Sequence, residues 1–144
     1  MIDFDKDKVT LLISEYKSSL HLLKEIASID YDSFIKDPHR IASAKYNLIV
    51  AIESAIDICN HLISKNGYRI PEDYADTFKI LAEAGLLPKD FAENTLVKMA
   101  RFRNRLVHLY WKIDNDMLFN IVTGDVKDLE QLLNQFKNIF GINT

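Results

Sequence analysis

The sequence predicts an all-α protein, on three observations. Glycine and proline are scarce, with 4 and 3 residues in a chain of 144, which favours long helices over a barrel or a sandwich. Apolar residues recur at spacings of three and four along most of the chain. Aspartate precedes several of these apolar patterns, where it can cap a helix. No linker or repeat divides the chain, so we expect one domain over residues 1–144.

Three helices are predicted in the first half of the chain. An apolar stripe predicts a helix over about residues 6–28, and a short helix follows over 31–36. Asp37 can cap a third helix, with Pro38 at its first position, where the missing N–H does no harm. This helix is expected to run to about residue 65.

The third helix has a broader apolar arc than the others. The apolar positions are Leu48, Ile49, Ile52, Ala55, Ile56, Cys59, Leu62 and Ile63. A helix that is apolar over so much of its circumference is expected to be central, in contact with several neighbours or with a partner subunit. Asn66 and Gly67 are typical of a left-handed helix end.

The second half of the chain opens with two shorter helices. Pro71 and Asp73 are expected to begin one that closes at Gly85, and Pro88 to begin the next.

A last helix is predicted from Asp125, with Asp114 capping a separate turn before it. The apolar positions of this helix are Val126, Leu129, Leu132, Leu133, Phe136, Ile139 and Phe140.

Neither membrane insertion nor export is expected. The longest uninterrupted apolar run is LIVAI at residues 48–52, far short of the roughly 20 residues of a spanning helix. The first residues, MIDFDKDK, contain no apolar signal region. The single cysteine, Cys59, cannot form an internal disulfide, which fits a reducing cytoplasm, and it is expected to lie in the core.

Positive charge is concentrated in KMARFRNRLVHLYWK, residues 98–112, here called the basic segment. The chain has a formal net charge of -3, yet this segment contains no carboxylate. Its basic residues are Lys98, Arg101, Arg103, Arg105 and Lys112. Such a run is most often a solvated helix face, and positive charge alone is only an electrostatic footprint.

Four side chains of the basic segment have the chemistry to act on a phosphate. Arg103 can donate two parallel hydrogen bonds, and His108 can exchange a proton near neutral pH. Asn104 lies four residues before His108, so its amide could orient the ring. Arg103 and His108 are about 140° apart on a straight helix, so either the helix distorts near His108 or another surface completes the site. The fourth, Tyr110, follows two residues later.

The sequence R-N-R-L-V-H resembles the signature of the HEPN superfamily. More narrowly, Arg103, His108 and Tyr110 match the R-x4-H-x-Y form of the HepT-like toxins. The similarity extends through AIDICNHLI, PEDYADTFKILAEAGLL and the acidic last helix, and so covers most of the chain.

This resemblance implies an antiparallel HEPN-type helical bundle of about five helices that forms a twofold homodimer. It also implies an RNA endonuclease toxin that needs no metal or cofactor, with cleavage by the ribose 2′-hydroxyl in a cleft between the two copies. Arg103, Asn104 and His108 are then the catalytic group. The other basic residues of the segment, which would bind RNA, are Lys98, Arg101, Arg105 and Lys112.

Tyr110 has a separate implied role. In HepT-like systems the partner is a minimal nucleotidyltransferase antitoxin of the MntA type, which adds AMP to the motif tyrosine and silences the toxin. The alternative is that Tyr110 and Trp111 pack at the dimer seam.

Glu53, Asp57 and His61 follow one another at four-residue spacing on the third helix. They could form half of a metal site, but the chain contains no Glu-x-x-His pair, so we expect no metal there. Glu53 or Asp57 is instead expected to pair with an arginine of the basic segment. His21 and His39 are expected to be surface or capping residues.

Two other functions fit the same residues. The chain could be a non-catalytic helical partner, or substrate-binding subunit, of a nucleotidyltransferase, in which the arginines bind nucleotide or substrate. It could also be a plain RNA-binding or dimerisation module. Cleavage of RNA in EDTA, dependent on His108, separates the nuclease from both.

Overall fold

The computed structural model describes residues 2–142, and this part of the chain contains six α-helices and no strand. The helices are α1 (Lys6–Ala27), α2 (Tyr31–Ile35), α3 (Pro38–Asn66), α4 (Tyr74–Glu83), α5 (Val97–His108) and α6 (Asn115–Phe140). A π-helical segment, Phe91–Leu96, leads into α5, and a 3₁₀ turn, Tyr110–Lys112, follows it. The all-α expectation is confirmed, and the helix count is close to the expected five.

Aspartate side chains cap five of the six described helices. Each cap accepts a backbone N–H of the first turn, and the capping residues are Asp5, Asp30, Asp37, Asp73 and Asp114. A cap of this kind contributes about 1 kcal/mol to stability. α5 has no such cap, because the π-helical segment runs directly into it. Gly67, with φ 66°, ends α3 in the left-handed conformation, as predicted.

The expectation that a separate last helix begins at Asp125 is wrong. α6 is one helix from Asn115, capped by Asp114, and Asp125 lies in its interior. The reason is that Leu118 and Val122, both 0% exposed, continue the buried stripe toward Leu129. Packing of this stripe outweighs the preference of aspartate for a cap position.

α3 is the central helix, as its broad apolar arc predicted. It contacts each of the other five helices. Cys59 is completely buried in it, which confirms its place in the core, and burial raises the pKa of its thiol. By length and composition α3 is also the one helix in residues 2–142 that could cross a membrane, but 67% of the apolar stretch is buried inside the molecule.

Tyr16 joins α1 to α6 inside the core. Its hydroxyl donates a hydrogen bond of 2.6 Å to the Leu129 carbonyl oxygen, and its ring meets Phe136 edge to face at a centroid distance of 5.8 Å. The buried hydroxyl is therefore satisfied, and burial raises its pKa well above the ordinary value. α5 lies on another side of the central helix, against α3 and α4.

Candidate functional site

The basic segment occupies α5 and the turn that follows it. α5 is α-helical through His108. At its end the Leu109 N–H donates a hydrogen bond of 2.7 Å to the Arg105 carbonyl oxygen. Leu109, with φ −124° and ψ 36°, leaves the helix. The backbone therefore changes direction after His108 and not between Arg103 and His108, which keeps those two side chains on different faces of α5.

Arg103 is held against the central helix. Its side chain is only 12% exposed. Nε donates to Glu53 Oε1 at 3.1 Å, and Nη2 donates to the same oxygen. The guanidinium also lies over the ring of Tyr74, with Cζ 4.8 Å from the centroid. The expected pairing of Glu53 with an arginine of the basic segment is confirmed.

Asn104 contacts Arg103 in the structure. The Asn104 side-chain oxygen accepts a hydrogen bond of 3.0 Å from Arg103 Nη1. The guanidinium has five N–H donors, and these contacts occupy three of them, so two are left for an anion. No hydrogen bond joins Asn104 to His108 among the described residues, so the amide orients the arginine and not the imidazole.

His108 is exposed at the end of α5. Within residues 2–142 its imidazole has no hydrogen-bond or ion-pair partner. The three residues that follow His108 are exposed and apolar or aromatic: Leu109 at 39%, Tyr110 at 39% and Trp111 at 75%. The imidazole therefore borders a surface with an apolar character that a second molecule can cover.

Lys45 is part of this neighbourhood and was not found from the sequence. It lies in α3 and is 9% exposed. Its Nζ donates a hydrogen bond of 3.1 Å to the Tyr110 carbonyl and lies 4.4 Å from the centroid of the Tyr110 ring. The sequence did contain a signal that Lys45 is buried, because it stands at three-and-four spacing between Ile41 and Leu48, where an apolar residue is expected.

The two helices α3 and α5 meet in antiparallel order at the site. Lys45 contacts Tyr110, and Glu53, further along α3, contacts Arg103, which comes earlier in α5. Tyr74 of α4 contacts the guanidinium through the face of its ring. Three helices therefore position this site.

Three of the other basic residues of the segment lie on a different side of α5 from Arg103, and the fourth, Lys112, lies in the 3₁₀ turn after it. Lys98, Arg101, Arg105 and Lys112 are all exposed. On the helix, Lys98, Arg101 and Arg105 lie within about 60° of one another and at least about 140° from Arg103. Arg105 Nη2 approaches Met117 Sδ of α6 at 3.8 Å. The positive charge is therefore divided between an exposed stripe and one inward arginine.

The Glu53, Asp57 and His61 series separates into different environments. Glu53 binds Arg103, whereas His61 Nε2 accepts the Asp5 N–H at 2.8 Å. Burial is the largest cause of both pKa shifts: it lowers the pKa of His61 and raises the pKa of Asp57. The negative charge of Glu53 raises the pKa of Asp57 further. In residues 2–142 no three His, Cys, Asp or Glu side chains are placed to hold a metal ion.

His21 and His39 lie away from this site. His21 pairs with Glu25 at 3.1 Å on the exposed face of α1. His39 lies in the first turn of α3, where its backbone N–H donates to Asp37. The surface and capping positions expected for them are confirmed.

Comparison with known proteins identifies the family. The profile of the family described as Ribonuclease HepT-like matches residues 16–136. A candidate RNase of Archaeoglobus fulgidus is 34% identical over 102 residues, which cover 71% of this chain and 73% of that protein. The mRNA nuclease HepT of Shewanella oneidensis is 29% identical over 129 residues, which cover 88% of this chain and 96% of that one.

A solved structure of a similar toxin supports the same family. The tri-AMPylated HEPN toxin of Shewanella oneidensis, in complex with MNT antitoxin, superposes with a TM-score of 0.81 at 28% identity. The match covers 92% of this chain and 98% of that one. The fold is therefore of the HEPN type, and the chain belongs to the HepT-like ribonuclease family.

Proposed function

We propose that this protein is a cytoplasmic RNA endonuclease toxin of a HepT/MntA toxin–antitoxin system, and that it cleaves RNA without a metal ion. The family and the similar mRNA nuclease support a ribonuclease. The observation that carries the proposal is the arrangement at the end of α5. Arg103 is fixed by Glu53 and Asn104 with two donors free, and His108 is exposed on the same helix.

The reaction is an internal transesterification. The ribose 2′-oxygen bonds to the adjacent phosphorus while the bond to the 5′-oxygen breaks, leaving a 2′,3′-cyclic phosphate and a 5′-hydroxyl. This nucleophile exists in RNA and not in DNA. A base takes the 2′-hydroxyl proton, an acid gives a proton to the leaving oxygen, and a cation stabilises the phosphorane. His108 transfers protons, Arg103 binds the phosphate, and Asn104 orients Arg103.

Two copies of the chain complete the site. One chain offers a single His108, whereas the reaction uses both a base and an acid. Because α5 stays helical from Arg103 to His108, the two side chains remain about 140° apart within one chain. A twofold axis places each basic segment against its copy and supplies the second imidazole. The exposed Leu109 and Trp111 are suited to such an interface.

The exposed basic stripe binds the RNA backbone on either side of the cleft. Lys98, Arg101, Arg105 and Lys112 are free of ion pairs in the described part of the chain. Contacts from such residues to phosphates give affinity without sequence preference.

Tyr110 is the modification site that silences the toxin. The similar toxin in complex with MNT antitoxin is AMPylated, and Tyr110 is 39% exposed on the turn after α5. Its phenolic oxygen attacks the α-phosphorus of ATP, pyrophosphate leaves, and the phenolic proton passes to a base of the antitoxin or to water. The added AMP introduces negative charge and bulk into a cleft built for a phosphate.

Cleavage of total RNA in EDTA tests the nuclease. The purified protein is expected to cut RNA, and His108→Ala to reduce the rate by about 10²–10⁴-fold, the usual contribution of acid–base catalysis. His21→Ala, which removes an exposed histidine of α1, is the control and should cut normally. Binding without cleavage by the wild-type dimer would instead favour the non-catalytic partner of a nucleotidyltransferase.

Mass spectrometry tests the modification. The protein is co-expressed with the product of its neighbouring reading frame, and Tyr110 is expected to carry one or more AMP groups. Tyr110→Phe keeps the ring and removes the nucleophile, so it should remain unmodified. AMP on another residue, or none, would favour the role of Tyr110 in packing at the dimer seam.

A further inference from the structure

Lys45 is a buried cation with no carboxylate partner among the described residues. Lysine is almost never this buried unless it is paired, and Lys45 is 9% exposed. Its partners are the backbone carbonyl of Tyr110, 3.1 Å from Nζ, and the face of the Tyr110 ring, 4.4 Å away. An ammonium group has three donors, and one of them is used in these contacts. Lys45 therefore retains both charge and hydrogen-bonding capacity at the turn.

The turn that Lys45 contacts has little other support. Tyr110–Lys112 is a single 3₁₀ turn, closed by the Lys112 N–H to Leu109 carbonyl hydrogen bond of 2.8 Å. None of its three residues is buried. The contact to Lys45 joins this short exposed element to the central helix across 65 positions of sequence. A charge-assisted hydrogen bond is about twice as strong as a neutral one.

We propose that Lys45 is the positioning residue of Tyr110. It fixes the backbone of the turn through the carbonyl and fixes the ring from one face, so that the phenolic oxygen is presented outward. Once AMP is attached to that oxygen, Lys45 is the cation at the ring face that attracts the new phosphodiester. The part of this role that concerns AMP rests on the function proposed above, whereas the contact between the two residues does not.

The contact is tested first in the free protein, without RNA or partner. The ring current of Tyr110 is expected to shift the NMR resonances of the Lys45 ε-methylene protons upfield. Tyr110→Phe keeps the ring and should leave this shift unchanged. Tyr110→Leu removes the ring, keeps the backbone carbonyl, and should abolish it. Equal Lys45 resonances in all three proteins would overturn the proposal, whatever the protein does to RNA.

The positioning role is tested with Lys45→Met, which keeps the length of the side chain and removes the charge. Amide hydrogen exchange at Leu109–Lys112 is expected to accelerate about tenfold or more, the scale of one charge-assisted hydrogen bond. Lys89→Met, which changes an exposed lysine outside the site, is the control and should exchange like the wild type. Circular dichroism of each variant verifies the fold. Unchanged exchange in folded Lys45→Met would contradict the role.

The consequence for modification is measured by co-expression with the nucleotidyltransferase. Lys45→Met is expected to gain AMP about tenfold more slowly than the wild type, and Lys45→Arg, which keeps charge and donors, to recover part of the rate. Modification of Lys45→Met at the wild-type rate overturns the positioning role. If the wild-type protein gains no AMP, the modification proposed for Tyr110 fails, and the resonance and exchange measurements still decide the role of Lys45.

Discussion

Arg103 and Glu53 lie 50 positions apart in the sequence and are joined through two guanidinium nitrogens that donate to one carboxylate oxygen. The arginine is almost enclosed, whereas the Glu53 side chain is 41% exposed. Glu53 therefore fixes the orientation of the guanidinium and also places a negative charge beside the position proposed for the RNA phosphate. These two effects have opposite consequences for the reaction and for RNA binding.

Glu53→Gln separates the two effects. The amide keeps the shape of the side chain but loses the charge, so Arg103 is held less firmly. We expect the rate constant of RNA cleavage to fall about tenfold, on the scale of a hydrogen bond to a charged group. RNA affinity at low salt is expected to increase, because a negative charge near the phosphate is gone. Single-turnover kinetics and filter binding measure the two quantities.

Glu15→Gln is the matched control for this prediction. Glu15 lines the same groove between α1 and α3 as Glu53 and makes no hydrogen bond or ion pair in the described part of the chain. The substitution Glu15→Gln removes the same charge, and Glu15 does not contact Arg103. It should therefore leave the rate constant of RNA cleavage unchanged. An equal loss of rate in both variants would mean that Glu53 acts only through its charge and does not orient Arg103.

Tyr74 supports Arg103 through the face of its ring. A cation–π contact at a partly exposed site contributes about 0.5–1 kcal/mol. Tyr74→Leu is therefore expected to reduce RNA cleavage by roughly two- to fivefold. Tyr74→Phe keeps the ring and should cleave normally. A loss in Tyr74→Phe equal to that in Tyr74→Leu would assign the effect to the hydroxyl and not to the ring.

We expect Asp125 to make the stability of the fold depend on pH. Burial, followed by the charge of Asp128, raises the pKa of Asp125 from 3.8 to about 6. Between about pH 4 and pH 6, Asp125 therefore keeps a proton in the folded state that it has lost in the unfolded state. The contribution of Asp125 to the free energy of unfolding declines as pH rises over this interval. Asp125→Asn should stabilise the protein by about 1–3 kcal/mol at pH 7 and by close to nothing at pH 4.

Urea denaturation of the wild type and Asp125→Asn at both pH values measures this difference. Glu93→Gln, which changes an exposed carboxylate in the π-helical segment, serves as the control for the acid-to-amide substitution itself. A stabilisation by Asp125→Asn of the same size at pH 4 and pH 7 would show that the ionisation of Asp125 is not its cause.

The helices were largely predictable because their start signals are local. Asp37 and Asp73 precede clear apolar patterns and cap helices in the structure. Asp125 carries the same local signal and lies inside α6, because the buried stripe already begins at Leu118. The π-helical segment Phe91–Leu96 was not predicted, because such segments are rare and occur mostly within α-helices, so the pattern leading into the basic segment predicts one α-helix.

The site was predictable where its residues are neighbours in sequence and only partly so elsewhere. The basic segment made Arg103, Asn104 and His108 candidates by residue type, and the resemblance to the HEPN signature gave them their proposed roles. A pairing of Glu53 or Asp57 with the arginines was expected from charge, because a carboxylate offsets the mutual repulsion of the clustered cations; the structure shows that Glu53 is the partner of Arg103. The contact of Tyr74 with Arg103 depends on how α4 lies against α5, which no local pattern contains. The apolar spacing of α3 marks Lys45 as buried, but it does not show that Lys45 contacts Tyr110.

Two copies of the basic segment are proposed to form one catalytic cleft. Co-expression of differently tagged wild-type and His108→Ala chains, purified through both tags, gives a dimer with one imidazole. If the two His108 side chains share the work of base and acid, this mixed dimer should cleave RNA at about 1% of the wild-type rate or less. Cleavage at half the wild-type rate would contradict the account, because each chain would then act alone.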